Sequence, residues 1–172
     1  VVSRQVFYNN STFDGYESAA NARDFDAIAW EKFPLRDGER ATFANYTNYV
    51  HGLNGILLGT HGFANLGALS ASDFVFRVGN SDNPATWPLA PAGSIHVAPG
   101  ATAADRDFIH LTWPDGAITQ RWLQVTVKAN VVTGLPDRKP VSLRVARARK
   151  VSGLDLTLAD CIRAFERLGL RH

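Results

Sequence analysis

A chain of 172 residues with 45% hydrophobic and 20% charged residues has ordinary globular proportions and room for one domain with its own core, which excludes wholesale disorder. It contains no apolar run long enough to span a bilayer, and its single cysteine, Cys161, excludes an internal disulfide. The net charge of +2 is unevenly spread: residues 1–132 hold nine Lys and Arg against twelve Asp and Glu, residues 133–172 nine against four. The basic character is local to the tail, so neither nucleic acid nor a membrane is expected as a partner of the main body.

In chain order, residues 5–8 read as a short strand, and Asn9 to Gly15 as a loop by composition. Residues 16–40 are polar and irregular, and the weak helical periodicity from Ala19 to Trp30 fits a short helix no better than a loop tied around something. Residues 41–50 read as a strand carrying Phe43, Tyr46 and Tyr49, and residues 53–58 as a second, apolar one. Alternation in Phe74-Val-Phe-Arg-Val78 turns Phe74, Phe76 and Val78 inward. An excursion with three prolines follows, carrying Trp87 near the surface, and then a strand over 94–97.

Residues 107–128 carry the strongest pattern. Ile109, Leu111 and Trp113 alternate with His110 and Thr112. Pro114-Asp-Gly-Ala117 supplies turn chemistry, and Leu123, Val125 and Val127 alternate with Trp122, Gln124 and Thr126. The spacing predicts a hairpin with one buried face. His96 and His110 are placed on its outer side as surface groups. Seven or eight short strands separated by turn signals predict an all-β fold, an antiparallel β-sandwich of Ig-like or jelly-roll-like type, over residues 1–135.

Residues 136–172 form a second region, a basic arm and an amphipathic helix. Residues 141–145 read as a last edge strand. Leu158, Cys161, Ile162, Phe165 and Leu168 then recur at helical spacing over 155–168. That apolar stripe must be covered, by the sandwich or by a second copy of the chain, so homodimerisation through the helix is an expectation.

Several blocks carry a resemblance: Val6-Phe-Tyr-Asn-Asn-Ser11 with Phe13-Asp-Gly15, Ala41-Thr-Phe-Ala-Asn-Tyr46, and Gly52-Leu-Asn-Gly-Ile56. Further along stand Phe76-Arg-Val-Gly-Asn80 with Asn83-Pro84 and Trp87, Asp115-Gly-Ala-Ile118, Trp122-Leu-Gln-Val-Thr-Val127, Ala129-Asn130 and Thr133-Gly-Leu135. In order and spacing they resemble a module of large secreted multidomain proteins of environmental bacteria, often close to dockerin-type repeats. The resemblance covers roughly residues 5–135 and implies an extracellular β-sandwich, with no activity attached. From about Pro136 the chain departs from that pattern.

Three sets of residues carry candidate chemistry. Asp14, Asp24 and Asp26, with Asn9, Asn10 and Asn21 nearby, supply the hard oxygens that Ca²⁺ takes in sets of six to eight, so a structural calcium ion is expected. The spacing is not that of an EF-hand, with Ala29 where its glycine would fall. Trp122, Trp87, Trp30 and Tyr46, with Gln124 beside them, supply flat rings and an amide of the kind that bind sugar rings. Asp24, Asp26 and Glu31 are the carboxylates from which a glycosidase pair would be drawn. There is no nucleophile elbow, phosphate loop or dinucleotide motif. The favoured expectation is a secreted, non-catalytic module binding polysaccharide. The competing readings are a small glycan-acting hydrolase and a structural or adhesive spacer.

Overall fold

The computed structural model describes residues 1–35, 39–100 and 106–136, together with the backbone of Val141–Val145. Their strands are β1 (Ser3–Val6), β2 (Gly55–Thr60), β3 (Phe74–Gly79), β4 (Ser94–Ala98), β5 (Asp107–Thr112), β6 (Trp122–Val127) and β7 (Val141–Val145). All pairings are antiparallel. A four-stranded sheet runs β1-β2-β5-β4, and a three-stranded sheet runs β3-β6-β7.

Alternation explains which faces are buried. In the three-stranded sheet Phe74, Phe76 and Val78 stand opposite Val127, Val125 and Leu123, and all six are buried. In the four-stranded sheet Val6, Ile56 and Leu111 share one register row, and Leu58 and Ile109 the next. These residues of both sheets form one core cluster with Trp113 and Ile118. Each such side chain contributes about 1.5–3 kcal/mol when fully buried.

The four-stranded sheet is covered on its other face too. Leu57 packs with Phe7, Ala27 and Ile28 in a second, smaller cluster, to which Phe25 and Phe108 add. This is why β2 is buried along its whole length. The covering segment is held by a bridge between Phe7 and Ile28 and by the N–H of Ala29 donating to Val6 O at 2.8 Å. Its turn, Ala22–Phe25, is capped by Asn21, whose side chain accepts from the Arg23 N–H.

Three expectations are corrected. First, β5 and β6 do not form a hairpin: they belong to different sheets. The turn itself is as expected, with Gly116 at φ 75° and the Ala117 N–H donating to Pro114 O. Beyond it, Ile118 pairs with the Leu53 N–H and is buried in the core, so the chain crosses from one sheet to the other over the end of the core. Second, residues 41–50 contain no strand. They form a 3-10 turn, Phe43–Asn45, and loops, because the Asn45 side chain accepts the Thr42 N–H at 2.8 Å and closes the backbone locally. Third, Trp87 is not on the surface. Residues 88–90 run along the edge of β3, with the Val78 N–H donating to Pro88 O and the Ala90 N–H to Phe76 O. That run seats the Trp87 ring on Gly79, where a Cβ would lie 2.3 Å from the ring.

Strands β2, β3 and β4 fall within a residue or two of their expected places, and Val141–Val145 is an edge strand as expected. The expected helix over 155–168, with Cys161 and the dimer contact assigned to it, lies outside the described residues.

Candidate functional site

Two neighbouring turns present the exposed rings. After Ala29 the chain turns back, the Lys32 N–H donating to Ala29 O at 2.9 Å, and this throws Trp30 and Glu31 outward. The Phe33 N–H then donates to Ala44 O at 2.7 Å, and the Asn45 amide to Phe33 O at 3.1 Å. Residues 30–33 are thereby fixed beside residues 42–46. Trp30 is 65% exposed, Phe43 57% and Phe33 54%, while Tyr46 is half-buried and packs edge-on against Phe43 at 5.3 Å.

Lys32 braces this arrangement from beneath. Its buried side chain donates to Phe43 O at 3.1 Å and holds its ammonium 3.5 Å from the Phe43 ring centroid. Burial pushes its pKa below the usual lysine value, partly offset by Glu31 at 3.7 Å.

A polar knot lies at the end of β5. Asp115 accepts from the Asn10 amide at 2.8 Å and the Asn54 amide at 2.8 Å, and pairs with His51 Nδ1 at 2.9 Å. The Tyr49 hydroxyl donates to the main-chain oxygens of Asn9 and Asn10. Burial, followed by the charges of Asp115 and Asp14, raises the pKa of Tyr49 well above the usual tyrosine value, so it stays a donor at any physiological pH. Beside the knot opens a cleft of about 340 Å³, lined by Asn9, Asn10, Ser18, Ser94, Thr112, Trp113, Pro114 and Asp115.

The remaining expected site residues are dispersed. Trp87 is 5% exposed, its Nε1–H donating to the Ser81 carbonyl and hydroxyl, so it offers no face to a ligand. Trp122 and Gln124 are half-buried and point to the outer side of the three-stranded sheet, with Gln124 opposite Arg77. Tyr46 packs against Phe43, and Trp30 stands on the turn that is hydrogen-bonded beside them.

The aspartates expected around one ion also point apart. Asp14 is buried in loop 9–18, and Asp26 is exposed. Asn21 is half-buried and spends its side chain on capping the turn after it. Asp24 is closed to solvent, and its Oδ2 lies 2.6 Å from His110 Nδ1. A carboxylate enclosed in this way does not reach a glycosidic oxygen, which leaves Asp26 and Glu31 as the surface carboxylates of that set. Among the described residues no three His, Cys, Asp or Glu side chains converge on one metal position.

His110 is the clearest departure from expectation. It is placed on the outer side of β5 as alternation requires, but the covering segment buries it between Phe25 and Phe7, with ring centroids at 5.7 and 6.1 Å. His96, its cross-strand neighbour, stays exposed. Sequence reasoning also missed Phe33, Phe43, Tyr49, His51 and Asp115 as members of built groups. The capping pair Thr42 and Asn45 was the available signal for the first two. No protein-family model, curated protein or solved structure matches the chain.

Proposed function

We propose that this chain is an extracellular, non-catalytic glycan-binding module on a β-sandwich, and that it binds polysaccharide through Trp30, Phe33 and Phe43. The observation that carries this reading is three aromatic rings, each more than half exposed, on two turns that hydrogen bonds hold in fixed relation. Large rings left in water are costly unless something covers them, and a sugar ring offers the C–H face that stacks on them. Glu31, exposed on the same turn, supplies an acceptor for sugar hydroxyls. The two sheets joined by one core support the sandwich, and the resemblance of residues 5–135 to modules of secreted proteins supports the location.

Affinity electrophoresis through gels containing soluble β-glucan, xylan or mannan tests the reading. The intact chain is expected to be retarded in at least one gel. Trp30→Ala with Phe43→Ala is expected to weaken that binding about tenfold or more, the loss of about 1.4 kcal/mol. Trp122→Ala, on a different face, is expected to bind like the unaltered chain. Migration unchanged by every polysaccharide, or a double variant that binds as tightly as the original, overturns the proposal.

A further inference from the structure

Among the described residues, loop 9–18 is short of hydrogen-bond donors. Asp14 Oδ1 accepts the N–H groups of Ser11 and Tyr16 at 2.8 and 3.1 Å, but its Oδ2 has no partner. The Asn9 amide nitrogen donates to Ser18 O, and its Oδ1 has no partner. The Asn54 amide nitrogen faces two acceptors, Asn9 O at 2.7 Å and Asp115 Oδ1 at 2.8 Å, which fixes the amide orientation and leaves its Oδ1 without a partner. All three side chains are 2% exposed or less, so bulk water does not make up the deficit. Buried polar atoms are nearly always satisfied, and here every unsatisfied atom is an oxygen acceptor.

The three belong to one knot. Asn54 bonds the main chain of Asn9, and Asp14 closes the turn over residues 11–16 that follows. The Tyr49 hydroxyl on Asn9 O feels the charge of Asp14 as well as that of Asp115. One carboxylate and two amide oxygens make a hard donor set that carries a negative charge.

We propose that loop 9–18 and Asn54 hold a hard divalent cation, Ca²⁺, through Asp14 Oδ2, Asn9 Oδ1 and Asn54 Oδ1, with the remaining positions filled by main-chain carbonyls or water. Of the residues the sequence suggested as ligands, Asp14 and Asn9 belong to this set, and Asn54 is new to it. The site is independent of the aromatic turns. Bound Ca²⁺ ties the loop to β2 through Asn54 and so stiffens the rim of the cleft.

Calorimetric titration of CaCl₂ into the chelator-stripped chain is the test, followed by thermal unfolding with and without the ion. One equivalent is expected to bind, with a rise in Tm of about 5–10 °C at saturation. Asp14→Asn keeps the Oδ1 contacts and removes the charge, so it is expected to weaken binding about tenfold or more, whereas Asp26→Asn leaves it unchanged. In case Asp14→Asn fails to fold, Tb³⁺ added to the unaltered chain is expected to show emission sensitised by Tyr49, and Ca²⁺ is expected to quench it by displacement. No heat and no Tm shift up to about 10 mM CaCl₂, beyond the range of extracellular calcium modules, overturns the proposal. So does Tb³⁺ emission no stronger than in free solution, or a folded Asp14→Asn that binds Ca²⁺ like the original.

Discussion

Trp87 and Trp30 are the same residue type in opposite circumstances, and the difference is measurable. Trp87 has its ring on Gly79 and its N–H on Ser81, so replacing it with Ala removes a large buried side chain and leaves a cavity against Gly79. The expected cost is about 3–5 kcal/mol in urea unfolding. Trp30 is mostly in water, and Trp30→Ala is expected to change stability by no more than about 0.5 kcal/mol. Equal costs at the two positions would contradict the burial described. The sequence did not separate them, because three prolines around Trp87 report an extended, turn-rich course and say nothing of where it lands. Exposure of Trp30 was legible only as the polarity of its neighbours.

At the scale of elements, strands with strict alternation were legible: β3 and β6 have only one way to bury Phe76 and Val125. Their partners were not. The turn at Pro114-Asp-Gly was rightly expected, yet a turn does not specify which sheet the next strand joins, and burial of Ile118 carries the chain across. The 3-10 turn Ala71–Asp73 before β3 shows how one side chain holds an element in place. Asp73 accepts the N–H and hydroxyl of Ser70 and the amide of Asn130, which reaches it from beyond β6. Burial opposes its ionisation, but these hydrogen bonds and nearby Lys128 prevail and hold its pKa below the usual aspartate value. A lowered folded-state pKa stabilises the fold at pH values above the unfolded value, near 4, and that contribution is lost as pH falls through the folded value. Asp73→Asn is therefore expected to cost about 1 kcal/mol at neutral pH and progressively less as pH falls below the unfolded aspartate value, near 4, read from urea midpoints across a pH series.

For the molecule as a whole, the unforeseen feature is the covering layer, in which Phe7, Phe25, Ala27 and Ile28 close the second face of the four-stranded sheet. These apolar residues are scattered through a polar stretch with only weak helical periodicity, so no pattern announced a cover for the sheet. The Asp24–His110 pair pins this layer to β5 at 2.6 Å with both side chains closed to solvent. Asp24→Ala is expected to cost about 3–5 kcal/mol, since it leaves the imidazole buried without a partner. The double change Asp24→Ala with His110→Ala is expected to cost less than the sum of the two single ones, which a double-mutant cycle in urea measures directly.

The run of residues 88–90 along β3 bears on solubility. A strand reading Phe74-Val-Phe-Arg-Val-Gly79 with an open edge would be a template for pairing with other molecules of the same kind. Pro88, with no N–H of its own to donate, lends its carbonyl to that edge and ends the ladder there, so the Trp87 excursion shields β3 from intermolecular strand addition.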